Sequence, residues 1–217
     1  MPTDTHDMIV VHRVFRREFR LAPRLIRAVR PGDVARARLV GGHLTDLYEG
    51  LHHHHTNEDV VLWPLLLARI DLEADRVLLM EAQHQEIDAL LRKANDLLPA
   101  WTATAAADMR DELAGVYDRL LPVLTAHLTA EEDEVLPIAA EHISQEEWDR
   151  MGKRFSADTP KNKLMLFLGA LLEEATPAER AHMLGTLPAP ARLAWRLIGR
   201  RSYRRRVRAL RESVRVG

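Results

Sequence analysis

Two segments of this chain place a histidine four residues ahead of a glutamate, His54 with Glu58 and His127 with Glu131, inside stretches with helical apolar spacing. A four-residue step returns to the same face of an α-helix one turn on, so each pair directs two metal-capable side chains to one side. The segments then continue alike. The first reads His54-His-Thr-Asn-Glu58-Asp59-Val-Val-Leu-Trp-Pro64 and the second His127-Leu-Thr-Ala-Glu131-Glu132-Asp-Glu-Val-Leu-Pro137, with a proline ten residues after each histidine. This echo predicts two helices related by a pseudo-two-fold axis that face each other across a shared site.

The periodicity predicts four long amphipathic helices, at about Thr5 to Arg30, Asp33 to Ala68, Leu72 to Leu98 and Thr104 to His142. Pro31-Gly32 and Pro99 punctuate them, and Pro64 and Pro137 are expected to kink or end the ligand helices just beyond the site. Short connections make consecutive helices antiparallel neighbours, so the expected fold is all-α: an up-down-up-down four-helix bundle with a C-terminal helical extension. Only 5% of the residues are aromatic, while Leu, Ala, Arg and Glu are abundant, which favours helices over sheets. The chain has no cysteine, which excludes disulfides, thiolate metal sites and cysteine nucleophiles. Any metal must take nitrogen and oxygen ligands.

Each predicted helix turns its histidine toward its apolar stripe. Val40, Leu47, Leu51, Val61 and Leu65 flank His54 and Glu58, and Leu113, Val116 and Leu120 lead up to His127 and Glu131. Val77, Met80, Ile87 and Leu91 surround His84, and Met8, Phe15 and Phe19 surround His12. Unpaired polar groups in an apolar core are costly, and a metal resolves the conflict. His52, His53 and His55 lie roughly 100° or more from the His54 face and are expected to be solvated or to support ligands. His43 faces inward but about three turns from His54, too far to share its metal. Tyr48 and Tyr117 lie off the stripe and read as packing residues.

With one His from helix one, His-x-x-x-Glu from helix two, His from helix three and His-x-x-x-Glu from helix four, the chain resembles the hemerythrin-like, or HHE cation-binding, family over about Thr5 to His142. The resemblance implies a non-haem di-iron site, oxo- or hydroxo-bridged, that handles peroxide, dioxygen or nitric oxide, or senses iron. Carried over by position, the metal ligands are His12, His54, Glu58, His84, His127 and Glu131, with Glu58 and Glu131 bridging. Glu132 competes with Glu131, since hemerythrins proper use a five-residue step in the last helix; the four-residue step favours Glu131. The oxygen-carrying members have a second histidine four residues along helix three, where this chain has Asp88. Two six-coordinate irons offer about 12 positions, of which four histidines, two bridging carboxylates and a bridging oxygen fill about 10. Asp88 is a candidate for one of the rest, and a more open site favours irreversible redox chemistry, including catalase-like decomposition of peroxide.

Residues 1–145 are assigned to the bundle and 146–217 to the extension, which breaks at Pro160, Pro177, Pro188 and Pro190. Met1 to Thr159 carries 18 Lys/Arg against 28 Asp/Glu, and Pro160 to Gly217 carries 13 against 4. An acidic body beside a basic tail predicts docking on the bundle or on a second subunit, through Arg200, Arg201, Arg204, Arg205 and Arg206 together with Leu164, Phe167, Leu168 and Leu171. The ten arginines between Arg192 and Arg215 leave a nucleic acid or membrane surface open as a partner of the tail. With neither a signal-like start nor a run of ~18 apolar residues, the chain is expected to be cytoplasmic. Three functions remain in play: a di-iron protein reacting with peroxide or dioxygen and fed by an unknown electron donor, a sensor or carrier without turnover, and an interaction protein with a structural metal and a basic tail.

Overall fold

Gly32, at a positive φ of 80°, turns the chain out of the first helix, and Asp33 caps the second by accepting the backbone N–H of Arg36. The computed structural model describes residues 1–70 and 74–212 and is all-helical, with no strand among the described residues. The helices are α1 (His6–Arg27), α2 (residues 34–67), α3 (Ala74–Thr104), α4 (residues 107–142), α5 (Gln145–Asp158), α6 (Lys161–Glu174), α7 (Pro177–Thr186) and α8 (residues 189–211). Helix α1 packs against α2 and α4, and α3 packs against the same two, so the four long helices enclose one interior. Among the described residues no helix is long and apolar enough to cross a membrane.

The interior is layered. One apolar cluster gathers Phe15, Leu51, Ile87 and Leu128, and continues through Phe19, Leu44 and Trp101. The other gathers Met8, Leu62, Met80 and Val135, and continues through Trp63, Trp148 and Met151. On every long helix the histidine falls between a residue of one cluster and a residue of the other: Met8 and Phe15 around His12, Met80 and Ile87 around His84. The polar residues therefore form a single stratum with apolar packing above and below.

Helix α3 runs past the expected stop, through Pro99 to Thr104; its expected start at Leu72 lies outside the described residues. Pro99 is exposed, and Asn95, whose carbonyl it leaves without its helical donor, is only partly buried. An interior proline costs about 3 kcal/mol, whereas burying a tryptophan is worth roughly 4–6 kcal/mol, and Trp101 is fully buried two residues on. Burial wins, and the helix continues.

The two ligand helices also continue through their prolines, and they do so by widening. In α2 the N–H of Trp63 bonds to the carbonyl of Glu58, five residues back, and in α4 the N–H of Leu136 bonds to that of Glu131. Such a π-turn relieves the clash that Pro64 and Pro137 impose on the preceding turn. It also resets the helical phase. Four-residue steps drift by about 40° in a regular α-helix. The extra residue lets His54, Glu58, Leu62 and Leu66, and likewise His127, Glu131, Val135 and Ala139, all stay buried. Val61 and Leu65, expected on the inner stripe, are only partly buried for the same reason. A third π-turn at Trp195–Gly199 in α8 has no proline after it, and nothing in the structure explains it.

The extension folds back on the bundle. Ser144 and Glu147 form a capping box that starts α5, whose Trp148 and Met151 join the second apolar cluster. Gly50 lets the ring of Phe167 approach α2, where a Cβ would meet Phe167 Cε1 at 3.2 Å. Charge does the rest. Arg211 reaches Glu18 at 2.8 Å and Glu173 at 2.6 Å, Arg206 pairs with Asp46, and Lys163 pairs with Asp46 at 3.1 Å. Of the five arginines expected to dock on the bundle or on a second subunit, Arg206 meets the bundle, while Arg200, Arg201, Arg204 and Arg205 are exposed within the chain, because the packed face of α8 is the one shared by Tyr203, Arg206 and Leu210. Leu164, Phe167, Leu168 and Leu171 are half-buried, and Arg215 lies outside the described residues.

Candidate metal centre

Seven buried residues from all four long helices meet in the polar stratum, none more than 7% exposed. They form two groups, His12, His54, Glu58 and Glu131, and His55, His84 and His127. Within each group one potential ligand atom per residue lies within 4.8 Å of all the others. The carboxylates join the groups. Glu58 has one oxygen 3.2 Å from His54 Nε2 and the other 3.5 Å from His84 Nε2. Glu131 Oε2 lies 3.3 Å from His12 Nε2 and 3.9 Å from His127 Nε2. Each glutamate thus stands between a histidine of one group and a histidine of the other, as a carboxylate spanning two cations would.

Three of the histidines are held from behind. His12 Nδ1 bonds to Glu132 at 2.8 Å, His84 Nδ1 to Asp59 at 2.7 Å and His127 Nδ1 to Gln83 Oε1 at 3.0 Å. An ionised carboxylate only accepts, so the Nδ1 atoms facing Glu132 and Asp59 carry the proton and Nε2 is left with a free lone pair aimed inward. The sequence echo is thereby completed in space: the residue after each inner glutamate, Asp59 or Glu132, orients the histidine of a neighbouring helix. Arg16 steadies Glu132 at 2.6 Å, and the Trp63 indole donates to Asp59 at 3.0 Å.

The inward atoms have no such support. Nε2 of His12, His54, His84 and His127, both ring nitrogens of His55 and all the oxygens of Glu58 and Glu131 are buried without a hydrogen-bond partner among the described residues. Buried polar groups are normally satisfied, so this convergence of unpaired lone pairs marks a place for cations. Burial, and then the charge of Glu131, push the Glu58 carboxyl well above its usual range. Burial opposes the charge of Glu131 too, but His12, itself raised by Glu131, outweighs it and holds that carboxyl at about 2. Burial drives His127 down to about 4 and His54 and His55 well below their usual value, which keeps these imidazoles neutral. Neutral imidazoles beside carboxylates are the donor set of a metal site.

The structure thus brings His12, His54, Glu58, His84, His127 and Glu131 together, and it adds His55. That residue was expected to be solvated or supporting, yet it is 2% exposed and stacks on His84 at 4.0 Å. The solvated alternative fails because α2 has two helical neighbours, so its buried arc is wide enough for adjacent residues at its two edges. His54 meets His12 of α1, with ring centroids 5.3 Å apart, while His55 meets His84 of α3. Glu132 supports His12 and Asp88 faces His52 at 3.7 Å, so neither belongs to the two groups. His52 stacks on Tyr48, His53 on Phe155, and His43 turns to Glu18 at 3.1 Å. Tyr117 is buried against Phe19.

Residues 3–139 match the family model described as the hemerythrin HHE cation binding domain. No curated protein and no solved structure matches the chain.

Proposed function

The chain belongs to the hemerythrin HHE cation binding domain family, and on that premise we propose that it is a non-haem di-iron protein that reacts with peroxide or dioxygen. Its ions would be held inside an up-down-up-down four-helix bundle formed by residues 1–145, with residues 146–217 docked as an extension. The single observation that carries this reading is the placement of Glu58 and Glu131, each within 4 Å of a histidine from both donor groups. One carboxylate can bridge two ions; a neutral imidazole, with a single lone pair, cannot.

Iron bound there supplies the electron chemistry toward a small oxidant, with an external donor resupplying electrons. The chain's own residues do the rest. Asp59, Glu132 and Gln83 hold three imidazoles in the orientation that presents Nε2, so little is reorganised when the cations bind. The apolar clusters on either side, with α5 joining the second, keep bulk water from the stratum. Glu58, whose carboxyl burial and Glu131 push well above the usual range, would hold a cation as the carboxylate, its proton released to solvent.

Steady-state consumption of peroxide by the iron-loaded protein tests the reading. Turnover that is lost in Glu58→Ala supports it, whereas an iron-loaded protein inert toward both peroxide and dioxygen contradicts it. A second reading, a sensor or carrier that binds dioxygen or nitric oxide without turnover, is favoured by one feature: the stratum is closed on every side, with no donor more than 7% exposed. Binding of the gas without loss of peroxide distinguishes it.

A further inference from the structure

His55 is the residue whose environment the six expected ligands leave unexplained. It is 2% exposed, and neither of its ring nitrogens has a hydrogen-bond partner among the described residues. A buried imidazole normally bonds through at least one nitrogen, and leaving both unmade costs on the order of 1–3 kcal/mol for each group. Packing does not explain the choice, because a leucine would fill the same space without that penalty. One nitrogen of His55, of His84 and of His127 lies inside the same 4.8 Å group; the ring now lies flat on His84 at 4.0 Å and edge-on to His127 at 5.1 Å, so it would have to turn out of that stack for its lone pair to meet theirs at one ion.

We infer that His55 is a metal ligand, completing a three-imidazole position with His84 and His127 that is chemically unlike the position built by His12, His54 and the two glutamates. This rests on the binuclear reading above and deepens it. Asp88 stands apart from both groups, half-buried and facing His52 at 3.7 Å and Arg92 at 4.0 Å. One position is then nitrogen-rich, with carboxylate supplied only by the spanning oxygens of Glu58 and Glu131; the other takes two imidazoles and leans on carboxylate oxygen. By the coordination count, a fifth histidine lowers the open positions of a six-coordinate pair from about two to about one, and places the remaining one on the His12 and His54 side.

The test is metal content and X-ray absorption of the full chain expressed in iron-supplemented medium. About two irons per chain are expected in the unaltered protein and in His53→Ala. About one is expected in His55→Ala, with helix content retained and the second ion restored by added imidazole. Absorption fine structure of the unaltered protein, which needs no variant to fold, should give about 2.5 imidazoles per iron rather than about 2. About two irons retained in His55→Ala, or two imidazoles per iron in the unaltered protein, overturns the assignment of His55 alone. Fewer than two irons in the unaltered protein overturns the binuclear reading and the assignment with it.

Discussion

Glu18 and Glu58 are the same residue type, both nearly inaccessible, and they are driven in opposite directions. Burial opposes the charge of Glu18, yet His43, Arg17 and Arg211 outweigh it and hold the carboxyl at about 2. Burial and the nearby Glu131 push the carboxyl of Glu58 well above its usual range. The difference lies in where the positive charge comes from. At the junction between bundle and extension, the chain supplies its own cations from α1 and α8. Around Glu58 in the polar stratum it supplies no such cation, only the lone pairs of imidazole. A buried carboxylate ringed by arginine is structural, and one ringed by neutral imidazole calls for a metal.

Removing a carboxylate from each region sharpens the comparison. Glu58→Ala and Glu131→Ala should each lose binuclear loading, and at metal concentrations a thousandfold above the dissociation constant each ion lost removes about 4 kcal/mol of stability. Metal analysis together with denaturant unfolding would show both effects. Glu18→Ala should cost about 3 kcal/mol, since Arg17, Arg211 and His43 lose their shared partner, while iron content stays unchanged. If Glu18→Ala lost iron, or Glu58→Ala kept it, the two regions would not be separate in the way described.

Acid should separate them in order. Glu18 has its folded pKa depressed to about 2 from 4.5, so its contribution is complete above about 4.5 and is lost as pH falls through about 2. In the stratum protons compete with metal for Glu58, whose carboxyl is raised, and for His12, raised by Glu131 despite its burial. Iron absorption should therefore fade at a higher pH than the pH at which the extension comes loose, followed by Trp195 fluorescence in a variant lacking the other tryptophans. The opposite order would break the comparison. The smallest effect is expected at the outward arginines. Arg200→Gln and Arg204→Gln should change stability by less than about 0.5 kcal/mol, because those side chains are exposed and make no ion pair among the described residues.

How much of this was legible in the sequence follows the same division. The His-x-x-x-Glu steps and the apolar residues beside His12 and His84 point inward in the sequence alone, because residues at helical spacing from an apolar stripe share its buried face. His55 was not legible from one stripe, since the stripe has a centre and the buried arc of a helix between two neighbours has two edges. A signal was nonetheless present: Leu47, Leu51 and His55 are spaced by four, so His55 extends an apolar row. The π-turns were half legible. Proline six residues after each glutamate announced a disturbance, but only the packing of Leu62 and Val135 decided that the helix would widen rather than stop. For the extension, net charge marks a basic segment beside an acidic body without telling which arginines face in, because that depends on the phase of α8 against Gly169, which leaves room for the ring of Tyr203.

The central claim is that the polar stratum is completed by cations that the chain does not carry itself. It is tested most directly by the iron content and melting temperature of one preparation before and after chelation. The account predicts about two irons per chain, near-ultraviolet charge-transfer absorption, and a fall of more than about 10 °C when the metal is removed, recovered on reloading. A protein that is purified metal-free, takes up no iron and melts unchanged with chelator would contradict it.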